Sequence, residues 1–346
     1  MIQKAITYID LFSGIGGFRE GLSRAGGFAC VGHCEIDKYA DRSYQALFDT
    51  KGEWFCEDIR KADPATIPDF DLLCGGFPCQ PFSVAGNRQG FADPRGTLFF
   101  EIARLTEAKR PAYLLLENVP GLLNHDGGRT FASILHTLDR LGYGVEWQVL
   151  NSKDFGVPQS RKRVYLIGYL DRRCRGKIFP FTETAGTPLI QIHPGSQGKR
   201  IYSPKGISST LTAQAGGFGG KTGLYEVSLS IKENTKKGYK TAYSGDSINL
   251  AFAQKNTRRG RVGRKIAHTL TAQDRHGVLL GGRIRRLTPR ECLRLQGWTD
   301  ERIDRVLPIQ SDAQLYKQAG NGVTVTVVEA IGKRLAAAHR EATAID

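Results

Sequence analysis

Through its first half the chain alternates short apolar runs with amphipathic stretches. Ala5–Phe12 (AITYIDLF) is a run of strand length ending in Ser13-Gly14, and Gly17–Ala25 carries its apolar residues at helical spacing. The chain therefore opens as strand, glycine turn, helix. Ala29–Glu35 predicts a second strand and Ile36–Phe48 a second helix, and further strands are expected at Glu53–Cys56, Asp71–Gly75, Ala112–Val119, Gly144–Leu150 and Val164–Gly168. Helical spacing recurs at Leu98–Lys109 and Thr130–Leu141. Strands alternating with helices in this way predict a Rossmann-like α/β fold, a mostly parallel sheet with helices on both faces.

After Phe179-Pro180 the texture changes to Gly, Ser, Thr, Lys and Arg with short apolar pieces and no clear period, up to about Gly282. Helical patterns return at Pro289–Gln296 and Val323–Ala338. The expected organisation is one domain made of residues 1–180 and 310–346, with a smaller, irregular, β-rich module at 181–309. Within that module TLTAQ occurs twice, at Thr210–Gln214 and Thr269–Gln273, which points to a duplicated element.

Charge sharpens this division. The 346 residues carry a formal net charge of +15. Residues 1–150 hold 15 basic and 19 acidic side chains, residues 151–290 hold 27 and 7, and residues 291–346 hold 7 and 8. An excess confined to the middle segment is the footprint of a module that binds a polyanion, whereas a merely basic enzyme would spread it. No run approaches the ~18–20 apolar residues of a membrane span and no signal pattern opens the chain, so a cytoplasmic protein with no membrane partner is expected. The seven cysteines are scattered in no CxxC pair, which argues against a disulfide framework. Cys30, His33 and Cys34 lie close together, but no second cluster completes a four-ligand metal site.

Four places carry candidate chemistry. Asp10–Phe18 (DLFSGIGGF) is a glycine-rich turn after the first strand, and Arg19 stands where a dinucleotide fingerprint needs its third glycine. A nucleoside without a pyrophosphate remains, with Glu35 at the end of the second strand placed for ribose hydroxyls and Asp58 for an amino group. A solvated surface role stays open for each acid. Gly75–Ser83 (GGFPCQPFS) holds Cys79 between two prolines just past an apolar strand, where open parallel sheets place ligands. That position favours a nucleophile over a buried inert thiol. Glu117 ends the run Leu114-Leu115-Leu116, where partial desolvation raises a carboxyl pKa and suits it to proton donation. Arg161 and Arg163 alternate on one side of the following strand, for phosphate or carbonyl contacts or as ordinary edge protection.

FSGIGGF, GGFPCQPFS, ENV, QSRKR, RRLTPRECLRLQGW and QAGNGVTVTVV, in that order from Tyr8 to about Ala330, resemble the ordered motifs of the DNA (cytosine-5) methyltransferases of bacterial and phage modification systems. The resemblance implies the class I S-adenosylmethionine-dependent methyltransferase fold, with a target recognition domain between QSRKR and RRLTPREC. It implies catalysis by Cys79 attacking C6 of a flipped-out cytosine, by Glu117 at N3 and N4, and by Arg163 at O2 with Arg161 in support. It places Phe12, Gly14, Ile15, Gly16, Gly17, Glu35, Ile36, Asp58, Ile59, Pro78, Leu98, Asn321 and Val323 around S-adenosylmethionine, with no metal required. Gly322 departs from the Ser that many members carry there, and a backbone contact at that position survives the change.

For the double-stranded DNA partner, Ser83, Gln159, Thr212, Gln214, Arg258, Arg259, Arg261, Thr271 and Gln273 are the candidate contacts. A monomer serving beside a cognate restriction endonuclease is expected. The alternatives are an RNA (tRNA) cytosine-5 methyltransferase of the same fold and a non-catalytic DNA-binding relative.

Overall fold

The computed structural model describes residues 4–78, 98–181, 191–193, 201–202, 229–243, 245–250, 260–270, 276–280 and 283–344. Its centre is a seven-stranded sheet. In chain order the first elements are β1 (Ile6–Leu11), α1 (Gly17–Ala25), β2 (Phe28–Cys34), α2 (Lys38–Leu47), β3 (Trp54–Cys56), β4 (Leu72–Gly76), α3 (Leu98–Lys109), β5 (Tyr113–Asn118), α4 (Arg129–Arg140), β6 (Gly144–Asn151) and β7 (Lys162–Tyr169). The sheet order is β3-β2-β1-β4-β5-β7-β6. The first five are parallel, and β7 runs antiparallel to both β5 and β6.

The continuous apolar strands follow from burial on both faces. In β1, Ile6 and Tyr8 join the core under α1 on one face, while Ile9 and Leu11 join the core on the other. Strand β5 repeats this, Tyr113 and Leu115 against Leu114 and Leu116. Each fully buried leucine here contributes roughly 1.5–3 kcal/mol of hydrophobic stabilisation. Because β1 and β4 are neighbours whose outgoing connections lead to opposite halves of the sheet, a crevice opens beyond their carboxyl ends.

Small antiparallel pieces follow. Strands β8 (Gln191–His193) and β9 (Ile201–Tyr202) pair, as do β10 (Leu229–Lys232) and β11 (Tyr239–Ala242). Strands β12 (Ser247–Asn249), β13 (Val262–Gly263), β14 (His276–Leu280) and β15 (Arg283–Arg286) form a four-stranded sheet of order β13-β12-β14-β15. Ala242, Ile248, Val262 and Leu279 are its small core.

The chain then returns through α5 (Pro289–Leu295), α6 (Asp300–Val306), α7 (Asp312–Asn321) and α8 (Val325–Thr343). Thr288 opens α5 with a reciprocal capping box to Glu291, the sequence TPRE making the start legible. Although α5 and α6 lie inside the stretch 181–309, they do not pack as part of a separate β module. Cys292, Leu293, Trp298, Ile303 and Val306 share a core with Ala40 and Leu47 of α2 and with Leu315 and Ala319 of α7. Helix α8 packs along α1 against the sheet, through Val327, Val328, Ile331 and Leu335. Among the described residues, no helix is long and apolar enough to cross a membrane.

Candidate active site

The crevice beyond β1 and β4 is a cleft of about 1190 Å³. Its first wall is the glycine turn. Phe12 sits in the left-handed region at φ 53°, where a side chain costs roughly 1–3 kcal/mol. The main chain is held there by Ser13 N donating to Cys34 O at 3.1 Å, and by Gly14 N donating to Glu35 Oε2 at 2.7 Å. Gly16, at φ 88°, precedes α1, and a Cβ there would meet Phe48 Cε2 at 2.3 Å. Only glycine fits that turn. Arg19 points away from the cleft, its guanidinium on Glu53 at 2.6 and 2.7 Å and over the Phe48 ring.

Glu35 takes a second amide, from Asp37, at 2.8 Å. Burial raises its carboxyl pKa against the lowering pull of these two amides. Asp58 caps the 3-10 turn Ile59–Lys61 and pairs with Arg60 at 2.7 Å, which holds its carboxyl below the usual range. The far wall comes from α7, ending at Asn321, and from Gly322 and Val323 after it. Lys317 joins that wall to the first by an ion pair with Asp37 at 2.6 Å.

At the other end of the cleft, β4 finishes at Gly76 and leads to Phe77 and Pro78, while β5 finishes at Glu117 and Asn118. Asn118 Nδ2 donates to Phe77 O at 2.9 Å and so ties the two strand ends together. Glu117, 8% exposed, is paired with Arg163 Nε at 2.9 Å. Burial raises the Glu117 carboxyl pKa, and the Arg163 and Arg161 charges oppose the rise. Gly76 leaves room for this carboxylate, since a Cβ on it would lie 3.2 Å from Glu117 Oε2.

Phe12, Gly14, Glu35, Ile36, Asp58, Ile59, Pro78, Leu98, Glu117, Arg161, Arg163, Asn321 and Val323 thus line a single cleft. Ile15 lies behind the wall, buried in the core with α2 and α7, and Gly16 and Gly17 form the start of α1. Cys79, Ser83, Thr212, Gln214, Arg258, Arg259, Thr271 and Gln273 lie outside the described residues. Asn118, Lys317 and Asp37 are contributors that motif reading passed over. The Asn118 signal was present, as the second letter of ENV beside a strand-end acid.

Two placements, Gln159 and Arg261, differ from expectation, and Arg161 supports the cleft wall from within. Gln159, expected at DNA, is fully buried, its Oε1 accepting from Leu270 N at 3.1 Å and its Nε2 donating to Leu295 O at 2.7 Å. Arg261, expected at phosphate or base, is 4% exposed and its backbone N–H is held by Glu233. Arg161 spends its guanidinium on the backbone carbonyls of Leu270, Gly320 and Gly322, at 3.2, 3.0 and 2.8 Å. Desolvation, aided by Arg163, lowers its pKa to about 10. Each lies in a polar stretch that reads as surface until the later chain packs over it.

The family profile of the C-5 cytosine-specific DNA methylases matches residues 6–337. The chain belongs to that family. It is 40% identical over 336 residues to the type II methyltransferase M.NlaX of Neisseria lactamica, covering 95% of this chain and 96% of that protein. M.DsaV of Dactylococcopsis salina, also named a type II methyltransferase, is 36% identical over 97% of this chain and 87% of its own length. The orphan methyltransferase M.SPRI of Bacillus phage SPR is 32% identical over 95% and 97%. Among solved structures, the methyltransferase EhMeth of Entamoeba histolytica superposes with a TM-score of 0.58 at 20% identity, over 96% of this chain and 98% of that one. This C-5 cytosine DNA methylase therefore has a glycine-turn, acid-lined end and a Glu117–Arg163 end in one cleft.

Proposed function

We propose that the enzyme moves a methyl group from S-adenosylmethionine to C5 of a cytosine flipped out of double-stranded DNA, through a covalent adduct of Cys79 at C6. The observation that carries this reading is the cleft itself. It joins the Glu35 end to the Glu117–Arg163 end, and its volume of about 1190 Å³ exceeds the ~300–1,000 Å³ of a typical single-ligand site. A cofactor at the first end and a base at the second would share this one cleft.

The residues present fit the cofactor. A Cβ placed on Gly14 would meet nothing within 4 Å, so the turn leaves open space above it. Arg19, the nearest basic side chain of the turn, is committed to Glu53, which suits a nucleoside lacking a pyrophosphate. Phe12, Gly14, Glu35, Ile36, Asp58, Ile59, Pro78, Leu98, Asn321 and Val323 would hold it, with Ile15, Gly16 and Gly17 fixing the turn behind. When bound, its sulfonium supplies an activated methyl group, and no metal is needed.

The chain's own residues do the rest. The Cys79 thiolate adds to C6, and the electron pair displaced from the C5–C6 bond makes C5 nucleophilic. Glu117 delivers a proton to N3 as charge builds there, and Arg163 holds O2 while fixing Glu117 through their ion pair. Arg161 stiffens the wall from behind. After methyl transfer the C5 proton is lost to water, the C6–S bond breaks to regenerate the thiolate, and the N3 proton returns to Glu117. The base must leave the stack to reach Cys79.

The basic segment 151–290 would grip the duplex. Ser83, Thr212, Gln214, Arg258, Arg259, Thr271 and Gln273 remain the proposed contacts, and the division is 1–180 and 310–346 against 181–309, with α5 and α6 moved to the catalytic side. A monomeric, cytoplasmic enzyme paired with a restriction endonuclease completes the reading, and relatives named both type II and orphan leave that pairing to experiment.

The test is incubation with duplex DNA and with tRNA, using methyl-labelled cofactor, followed by bisulfite sequencing. Protected cytosines at one short recurring sequence in the duplex are expected. Label confined to tRNA would establish the RNA alternative, and DNA binding without label the non-catalytic one. For the cofactor end, Glu35→Gln puts an amide NH2 against the Gly14 or Asp37 N–H, in place of an acceptor. Calorimetry is expected to show cofactor affinity reduced roughly tenfold or more, while unchanged affinity would remove Glu35 from the pocket.

A further inference from the structure

Gln159 is fully buried at a joint of three parts of the chain. Its amide bonds Leu270 N at 3.1 Å, Leu295 O at 2.7 Å and Gln296 Oε1 at 3.4 Å. Leu270 belongs to the second TLTAQ unit. Thr269 and Leu270, its first two residues, lie against the segment leading into β7. A parallel bridge joins Gln159 to Ala267, with Ser160 N donating to Ala267 O at 2.9 Å, and Thr269 Oγ1 donates to Ser160 O at 2.8 Å.

The same stretch carries the catalytic groups. Arg161 N is held by Asn151 Oδ1 at 2.9 Å, and its guanidinium spans Leu270 O and the Gly320 and Gly322 carbonyls of the cleft wall. Two residues on, Arg163 fixes Glu117. From Gln296 the network continues to Thr324 Oγ1 at 2.9 Å and thence to Ser152 Oγ at 2.8 Å. Gln159, Arg161, Gln296, Thr324 and Ser152 are all buried, and their hydrogen bonds hold this joint in one well-defined arrangement.

We infer that Gln159 is a positioning residue, which couples the seating of the second TLTAQ unit to the alignment of Glu117, Arg163 and the Gly320–Gly322 wall, so that methyl transfer is fast only on a correctly read target. This rests on the function proposed above. A change in how the recognition segment sits on DNA reaches the cytosine pocket through two hydrogen bonds, Leu270 N donating to Gln159 Oε1 and Arg161 Nη1 donating to Leu270 O. Misplacement by about 1 Å at a reacting centre is enough to cost on the order of 10²-fold in rate.

The test compares the full-length parent with Gln159→Leu, Gln159→Glu and Thr269→Val. Sites are counted by the calorimetric stoichiometry of S-adenosylhomocysteine, and single-turnover rates are taken at saturating DNA on the target found by bisulfite sequencing and on a duplex with one base pair changed. Gln159→Leu is expected to lower the rate per site roughly tenfold or more, leave the half-saturating DNA concentration within about threefold, and shrink discrimination roughly fivefold or more. Gln159→Glu keeps the acceptor for Leu270 N and is expected to recover most of the discrimination. Thr269→Val removes one hydroxyl and should give the same pattern at about threefold.

Gln159→Leu and Thr269→Val proteins that match the parent in rate per site and discrimination, or differ only in the number of sites, would show Gln159 to be a brace and overturn the inference. Should Gln159→Leu fail to fold, a parent-like Thr269→Val overturns it equally. A parent that methylates no DNA refutes the functional reading itself, and the inference with it.

Discussion

Cys79→Ala is expected to abolish methyl transfer, lowering turnover by on the order of 10⁴-fold or more, with cofactor affinity unchanged. The expectation follows from where the structure delivers the chain. Strand β4 leads to Phe77, which Asn118 pins, and to Pro78, which lines the cleft and precedes Cys79 in the sequence. Pro78 restricts its own φ, which limits how that next residue departs. Without a thiolate there is no addition to C6, and C5 of cytosine stays too weak a nucleophile to take a methyl group. The checks are a labelled-methyl assay, a denaturing gel on duplex containing 5-fluorocytosine, and calorimetry with the cofactor. A variant that turns over near the parental rate, or still forms a denaturation-resistant adduct, would end the assignment of Cys79.

Glu117→Gln is the second large effect, a loss of about 10²–10⁴-fold in the rate at saturation, the range associated with removing one general acid. Glutamine keeps the shape and can still hydrogen-bond the base edge, but it has no proton to give N3. The pH dependence carries the sharper information. Burial raises the Glu117 pKa, so its protonated, donating form persists to higher pH than an exposed carboxyl would allow. As pH rises through the folded pKa the donor is lost and the rate falls. That falling limb should vanish in Glu117→Gln. In Arg163→Gln, removal of the largest opposing charge should shift it to higher pH, whatever that variant loses in amplitude. A limb that stays in place in Glu117→Gln would assign it to another group.

The parallel half of the sheet was legible because both its faces are covered. Runs such as LLLEN and AITYIDLF have no polar alternation to confuse them, and helices of nine to twelve residues between them show a clear period. Glu35 and Glu117 were legible for a related reason, each being an acid that closes an apolar strand. Helix α6 was not, since seven residues rich in charge give too short a window for a period. Helix α7 hid similarly, because its inner face is Leu315, Tyr316, Gln318 and Ala319, and the buried Gln318 reads as polar surface. That glutamine is satisfied by Ser43 Oγ and Tyr39 O, partners about 275 positions away. Gln159 misled in the same manner. A glutamine in the basic stretch Gln159–Arg163 looks like a DNA contact, and only the return of Leu270 and Leu295 over it makes it interior.

The packing of α8 along α1 sets an order on how the enzyme comes into being. Strands β1 to β7 can pair as soon as they are made, yet the cleft wall at Asn321 and Val323 arrives near the end of the chain, and α8 closes over α1 only after it. A nascent chain therefore displays its basic middle segment to any nearby polyanion before it owns a complete cleft. A chain ending short of residue 320 lacks the Asn321–Val323 wall of the cleft and the helix that packs along α1.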